Sequence, residues 1–242
     1  MSRDDSHLPA RSSRAEVDAF LATVSSMAPR PSGSTATGRG QGRLIFAMDA
    51  TASREPTWDR ACHIQGEMFT EAATLGGLQV QLCHFRGFRE FEASPWLAQP
   101  AQLAATMTTV RCRAGQTQIG RVLSHAASEC RQRRVDALVL VGDCMEEDID
   151  AVCHLAGELG LLGVPCFVFH EGGEPVAARA FREIARLTRG AYCRFDASSA
   201  TELRDLLRAV AVYAAGGRAA LAQFEQRQVA TNLRLTHQLG TG

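Results

Sequence analysis

Three oxygen-bearing side chains, Asp49, Thr51 and Ser53, occupy alternate positions where the apolar run Leu44 to Met48 ends. In extended backbone alternate residues point to the same side, so the three can converge on one point just beyond the run. The small residues Ala50 and Ala52 between them leave room for a turn. Two further polar residues stand in comparable places. Thr117 follows Gly115-Gln116 directly before a helical pattern that opens near Gln118, and Asp143 follows Gly142 at the end of the apolar run Leu138 to Val141. Two carboxylates and three hydroxyls make an all-oxygen donor set, which suits a hard cation such as Mg²⁺, or Mn²⁺ in its place, rather than zinc or copper. Only two formal negative charges would surround the dication. An open position on it would then favour an incoming carboxylate.

For these residues to meet, the chain must place several strand ends side by side. Short apolar runs predict strands at Leu44 to Met48, Leu78 to Phe85, Phe88 to Glu92, Ala137 to Val141, Val164 to His170 and Ala191 to Phe195. Between them, helical spacing predicts helices at Pro56 to Leu75, Trp96 to Thr108, Gln118 to Arg133, Glu146 to Leu161, Pro175 to Thr188 and Ala200 to Ala215. Alternation of this kind means an α/β fold, with a doubly wound, mainly parallel six-stranded sheet covered by helices on both faces. The close spacing around Arg86-Gly87 leaves no room for a crossover helix and predicts one antiparallel edge strand. With strand order 3-2-1-4-5-6, strands one and four flank the topological switch, where ligands of open α/β sheets collect.

At this point the residues resemble a known family. Asp49-Ala50-Thr51-Ala52-Ser53, then Thr117, then Asp143 are similar to the D-x-S-x-S, Thr and Asp elements of the metal-ion-dependent adhesion site of von Willebrand factor A domains. The resemblance covers about Arg43 to Gly216 in element order. It departs at one position, where Thr51 replaces the usual Ser and adds a methyl group beside the hydroxyl. The resemblance implies that Thr51, Ser53 and, in a ligand-ready state, Thr117 contact the metal directly, with Asp49 and Asp143 acting mainly through bound water. It further implies that the sixth position accepts an acidic side chain from a protein partner. In many members the site is coupled to a shift of the final helix, here Ala200 to Ala215.

Around that domain, residues 1–42 read as an amphipathic helix, Ala15 to Ala28, followed by a flexible linker, and 217–242 as a tail with a loose helical pattern from Arg218 to His237. The helix is expected to pack on its own domain, with docking onto another protein as the alternative. Gly38, Gly40 and Gly42 precede a strand rather than follow one, so they are not a dinucleotide fingerprint.

Composition narrows the chemistry. All 26 basic residues are Arg, which removes P-loop and Schiff-base mechanisms, and 26 acidic residues balance them, so no surplus charge argues for nucleic acid or an anionic membrane. Eight cysteines without a C-x-x-C pair suit reduced thiols, and Met1 to Arg14 lack an apolar targeting segment, so the expected location is the cytoplasm. Cys144, the scattered histidines and the acidic run Glu146, Glu147, Asp148 and Asp150 are expected to be structural, the run serving the helix dipole. Arg54, Arg111 and Arg113 are expected to be solvated near the crevice. The leading reading is a non-catalytic, metal-dependent protein-binding module of undetermined oligomeric state. Two alternatives stand beside it. One is a Mg²⁺-dependent phosphohydrolase of the haloacid dehalogenase type with Asp49 as nucleophile, although Thr51 stands where such enzymes need a second Asp. The other is a scaffold that holds no metal.

Overall fold

The computed structural model describes residues 14–27, 42–54, 78–195 and 205–214. The helix expected at Pro56 to Leu75, the linker, the tail and residues 200–204 of the last expected helix lie outside the described residues. In chain order the elements are α1 (Arg14–Ser26), β1 (Gly42–Asp49), β2 (Leu78–Arg86), β3 (Glu90–Ala93), α2 (Pro100–Thr109), α3 (Ile119–Gln132), β4 (Ala137–Gly142), α4 (Ile149–Leu161), β5 (Cys166–Glu171), α5 (Pro175–Leu187), β6 (Ala191–Phe195) and α6 (205–214). The six strands form one sheet in the order β3-β2-β1-β4-β5-β6. β3 alone runs antiparallel, against β2.

The central strands β1, β4 and β5 are buried along their whole length and mainly apolar because both faces are covered. Leu44, Phe46 and Met48 of β1 join Val139, Val141, Phe167 and Phe169 on one face, under α1, α2 and α6. Ile45 and Ala47 join Leu138, Leu140 and Val168 on the other, under α3, α4 and α5. The alternation of side chains along each strand makes this division. α1 packs on its own domain, as expected. Phe20 is buried with its ring 6.0 Å from that of Phe167 and 5.4 Å from that of Phe169.

Among the boundaries that differ from the sequence expectation, three have a plain local reason. The helix expected from Trp96 begins at Pro100, because Leu97 pairs with Val80 through two 2.8 Å backbone hydrogen bonds and so prolongs the sheet edge. The helix expected from Glu146 begins at Ile149, with Asp148 capping it by accepting from Ala151 N. The strand expected from Phe88 begins at Glu90. Phe88 instead sits in the turn, between Gly87 at φ 58° and Arg89 at φ 62°. A non-glycine residue in that region costs about 1–2 kcal/mol, so the turn must be held by its surroundings.

Candidate metal centre

β1 and β4 are parallel neighbours with Met48 level with Val141, so Asp49 and the Gly142-Asp143 corner leave the sheet side by side. In open α/β sheets with this strand order the ligand crevice lies at the carboxyl ends of the strands, at the switch between β1 and β4. Asp49 lies at its floor, fully buried. Its Oδ1 accepts from Thr51 N at 2.8 Å, which folds the chain into a tight turn. The next residues, Ala52–Arg54, make a single 3-10 turn. That turn brings the Thr51 and Ser53 hydroxyls to 3.0 Å from each other, Thr51 buried and Ser53 exposed at the mouth.

Two buried carboxylate oxygens in this crevice, Asp49 Oδ2 and Asp143 Oδ1, have no hydrogen-bond partner. Such atoms are costly unless a cation or a donor meets them. Burial raises the Asp49 carboxyl from 3.8 to about 6, the Thr51 hydroxyl and amide pull it down, and the charge of Asp143 pushes it up again. The Arg54 charge also pulls the Asp49 carboxyl down, more weakly than the rest, and Arg54 is shared with Glu171. Among the described residues no group of three or more His, Cys, Asp or Glu could hold a metal ion, and here the remaining oxygens are hydroxyls. Neighbouring ligands of an octahedral Mg²⁺ with bonds near 2.1 Å lie about 3 Å apart, which is the spacing of the Thr51 and Ser53 oxygens. The donor set fits a hard divalent cation.

Thr117 lies buried on the loop that precedes α3. This loop is stitched to the Asp49 turn, since Arg113 N donates to Ala50 O at 3.0 Å and Arg113 pairs with Thr51 as an isolated bridge. It is also stitched to the Asp143 loop. Thr117 N donates to Glu146 Oε2 at 3.0 Å, and Glu146 N donates back to Thr117 Oγ1 at 3.1 Å. The structure therefore brings Asp49, Thr51, Ser53 and Asp143 to adjacent strand ends, and holds Thr117 on a loop bonded to both segments.

The acidic run divides: Asp148 and Asp150 serve the start of α4 as expected, while Glu146 and Glu147 turn to α3 and the loop before it. Glu147 accepts from Ile119 N and Gly120 N, so Glu146 and Glu147 cap α3 rather than their own helix. α3 lacks a side-chain cap of its own at Gln118. No sequence spacing announces such a cap, because donor and acceptor lie 27 to 29 residues apart.

Arg54 corrects the expectation of a solvated arginine. It is 1% exposed, and its Nε donates to Glu171 Oε2 at 2.8 Å while its Nη1 donates to Asp49 O at 2.9 Å. An apolar environment tolerates the charge because Glu171, at the end of β5, balances it. The pair ties the turn after β1 to the end of β5. Arg111 is exposed, and Arg113 is exposed and paired with Glu90 at 2.6 Å. Cys144 is half-buried rather than part of the core, and burial raises its thiol above the ordinary value.

No family model and no curated protein matches the chain. Solved structures do. The SpRpn10 VWA domain superposes with a TM-score of 0.56 at 13% identity, over 69% of this chain and 94% of that one. The chain has the von Willebrand factor A (VWA) fold. The same VWA framework is found in the pilus adhesin SpaC from Lactobacillus rhamnosus GG, with a TM-score of 0.59 at 11% identity, over 75% of this chain and 31% of that one. Manganese-loaded Plasmodium vivax TRAP protein gives a TM-score of 0.54 at 14% identity, over 71% and 75% of the two chains. At these identities the likeness concerns the VWA fold.

Proposed function

We propose that this chain is a metal-dependent protein-binding module, in which Asp49, Thr51, Ser53, Thr117 and Asp143 hold Mg²⁺ or Mn²⁺ and a partner carboxylate completes the site. The observation that carries the reading is the pair of buried, unpartnered oxygens, Asp49 Oδ2 and Asp143 Oδ1, facing a crevice fronted by hydroxyls. The manganese in the TRAP structure supports it. A divalent ion bound there supplies an electrophilic position that favours an anionic ligand. The residues do the rest. Asp49 and Thr51 hold the turn, Ser53 opens the site to solvent, and the Arg54–Glu171 pair keeps the loop in place without adding net charge.

A phosphohydrolase finds less support. Thr51 cannot act as a general acid in place of a carboxyl group, and the guanidinium of Arg54 is committed to Glu171 and the Asp49 carbonyl. Among the described residues no helix is long and apolar enough to cross a membrane. The seven cysteines there are all free thiols, three of them buried, which supports a reducing compartment such as the cytoplasm.

The test is capture on immobilised protein. Partner retained in Mg²⁺, released by EDTA and absent from Asp49→Ala beads supports the module. Equal retention by wild type and Asp49→Ala contradicts it.

A further inference from the structure

The turn between β2 and β3 carries Phe88 almost entirely in solvent, 81% exposed. This exposure is built into the fold. Gln118 Nε2 donates to Arg86 O at 3.2 Å and Glu90 O at 3.3 Å, Arg121 Nη1 to Arg89 O at 2.6 Å, and Gln116 N to Gly87 O at 3.3 Å. Every one of those bonds comes from the Thr117 loop or from the helix it opens. A side chain at Gly115 would strike Gly87 O at 2.1 Å, so the loop and the turn lie in direct backbone contact. Phe88 is thus presented on a clamped turn whose clamp is also the support of Thr117.

The charge around it has one sign in excess. Arg86, Arg89, Arg113 and Arg121 stand on the turn and its clamp, against Glu90 and Glu92. Arg86 and Arg113 both share Glu90, which leaves a positive surplus next to an exposed aromatic ring. Such a surface is complementary to acidic groups interleaved with an apolar side chain. It is also continuous with the candidate metal centre, because Arg113 joins Ala50 and Thr51 to this turn.

We propose that the Phe88 turn is the outer half of the binding surface, and that its occupant is an acidic protein segment carrying an apolar side chain beside its metal-directed carboxylate. The inference rests on the metal-dependent reading above. It adds the partner's chemistry: one carboxylate for the centre, an aliphatic or aromatic residue to cover Phe88, and further acids for the arginines. A second copy of this chain and single-stranded RNA are the competing occupants. The glutamates interleaved with the arginines disfavour RNA.

The test is selection of random dodecapeptides displayed on phage, in Mg²⁺, against wild type, Phe88→Ser and Asp49→Ala proteins. Wild type should enrich acidic peptides with a recurrent Leu, Ile, Phe or Trp near a recurrent Asp or Glu. Phe88→Ser should keep the acidic preference and lose the apolar one, and a wild-type-selected peptide should bind it about tenfold more weakly. Asp49→Ala should lose the fixed carboxylate position. The same peptides from wild type and Phe88→Ser would overturn the role of the turn. The same peptides from wild type and Asp49→Ala would instead overturn the metal-dependent reading. Dimerisation abolished by Phe88→Ser, or tighter binding of oligouridine than of any selected peptide, would name the wrong occupant here and overturn the proposal.

Discussion

Thr117 and Glu146 hold each other through a reciprocal pair of hydrogen bonds, amide to carboxylate at 3.0 Å and amide to hydroxyl at 3.1 Å. The arrangement is that of a capping box, except that its halves belong to different loops. Its effect is to join the loop before α3 to the loop after β4. The two groups of the candidate centre that lie farthest from Asp49 in sequence are therefore positioned as one unit.

Glu146→Ala removes this tie. The expected cost is about 1 kcal/mol of stability and a weaker affinity for Mn²⁺, read by thermal melting with and without metal. Glu146→Gln keeps an acceptor for Thr117 N and should behave nearly as wild type. Equal Mn²⁺ affinity in Glu146→Ala and wild type would separate this cap from the metal centre.

Arg54→Met leaves Glu171 without its cation and the Asp49 carbonyl without its donor. Breaking one side of a buried pair costs about 3–5 kcal/mol, and urea unfolding should show a loss of that size. Adding Glu171→Gln should restore part of it. A loss below 1 kcal/mol in the single variant would mean that the pair does not anchor the loop.

In EDTA the stability should carry a signature of Asp49. Its folded-state pKa is raised from 3.8 to about 6, so the protonated form is favoured by folding. That contribution is fully present below pH 4 and is lost as pH rises through about 6, a swing of roughly 3 kcal/mol. The difference in unfolding free energy between Asp49→Asn and wild type should therefore grow in favour of the variant from pH 4 to pH 7. A flat difference would place Asp49 in a more polar setting than its burial implies.

Phe20→Ala tests whether α1 belongs to the domain. Phe20 is buried against Phe167 and Phe169, and removing such a ring costs about 3–5 kcal/mol. An unchanged urea midpoint would show instead that α1 docks weakly.

The sheet was legible in the sequence because doubly covered strands read as unbroken apolar runs. Val139, Phe167 and their neighbours announced their strands, whereas the order 3-2-1-4-5-6 entered as a premise that the structure matches. The nearness of Asp49, Thr51 and Ser53 was legible because it is local, but a tight turn and a 3-10 turn bring them together rather than extended backbone. What escaped was non-local. Arg54 looks like a surface arginine until Glu171, 117 residues away, is folded against it. Glu146 and Glu147 look like the start of their own helix, and become a cap for α3 only when the two loops meet. Phe88 alternates like a strand residue, but the left-handed backbone at Gly87 and Arg89 turns it outward.

Calorimetric titration of Mn²⁺ into wild-type and Asp49→Asn proteins at pH 7 tests the central claim most directly. The account predicts saturable binding of one ion per wild-type chain, with a matching rise in melting temperature, and neither effect in the variant. Absence of binding at millimolar Mn²⁺, or the same binding to both proteins, would contradict it.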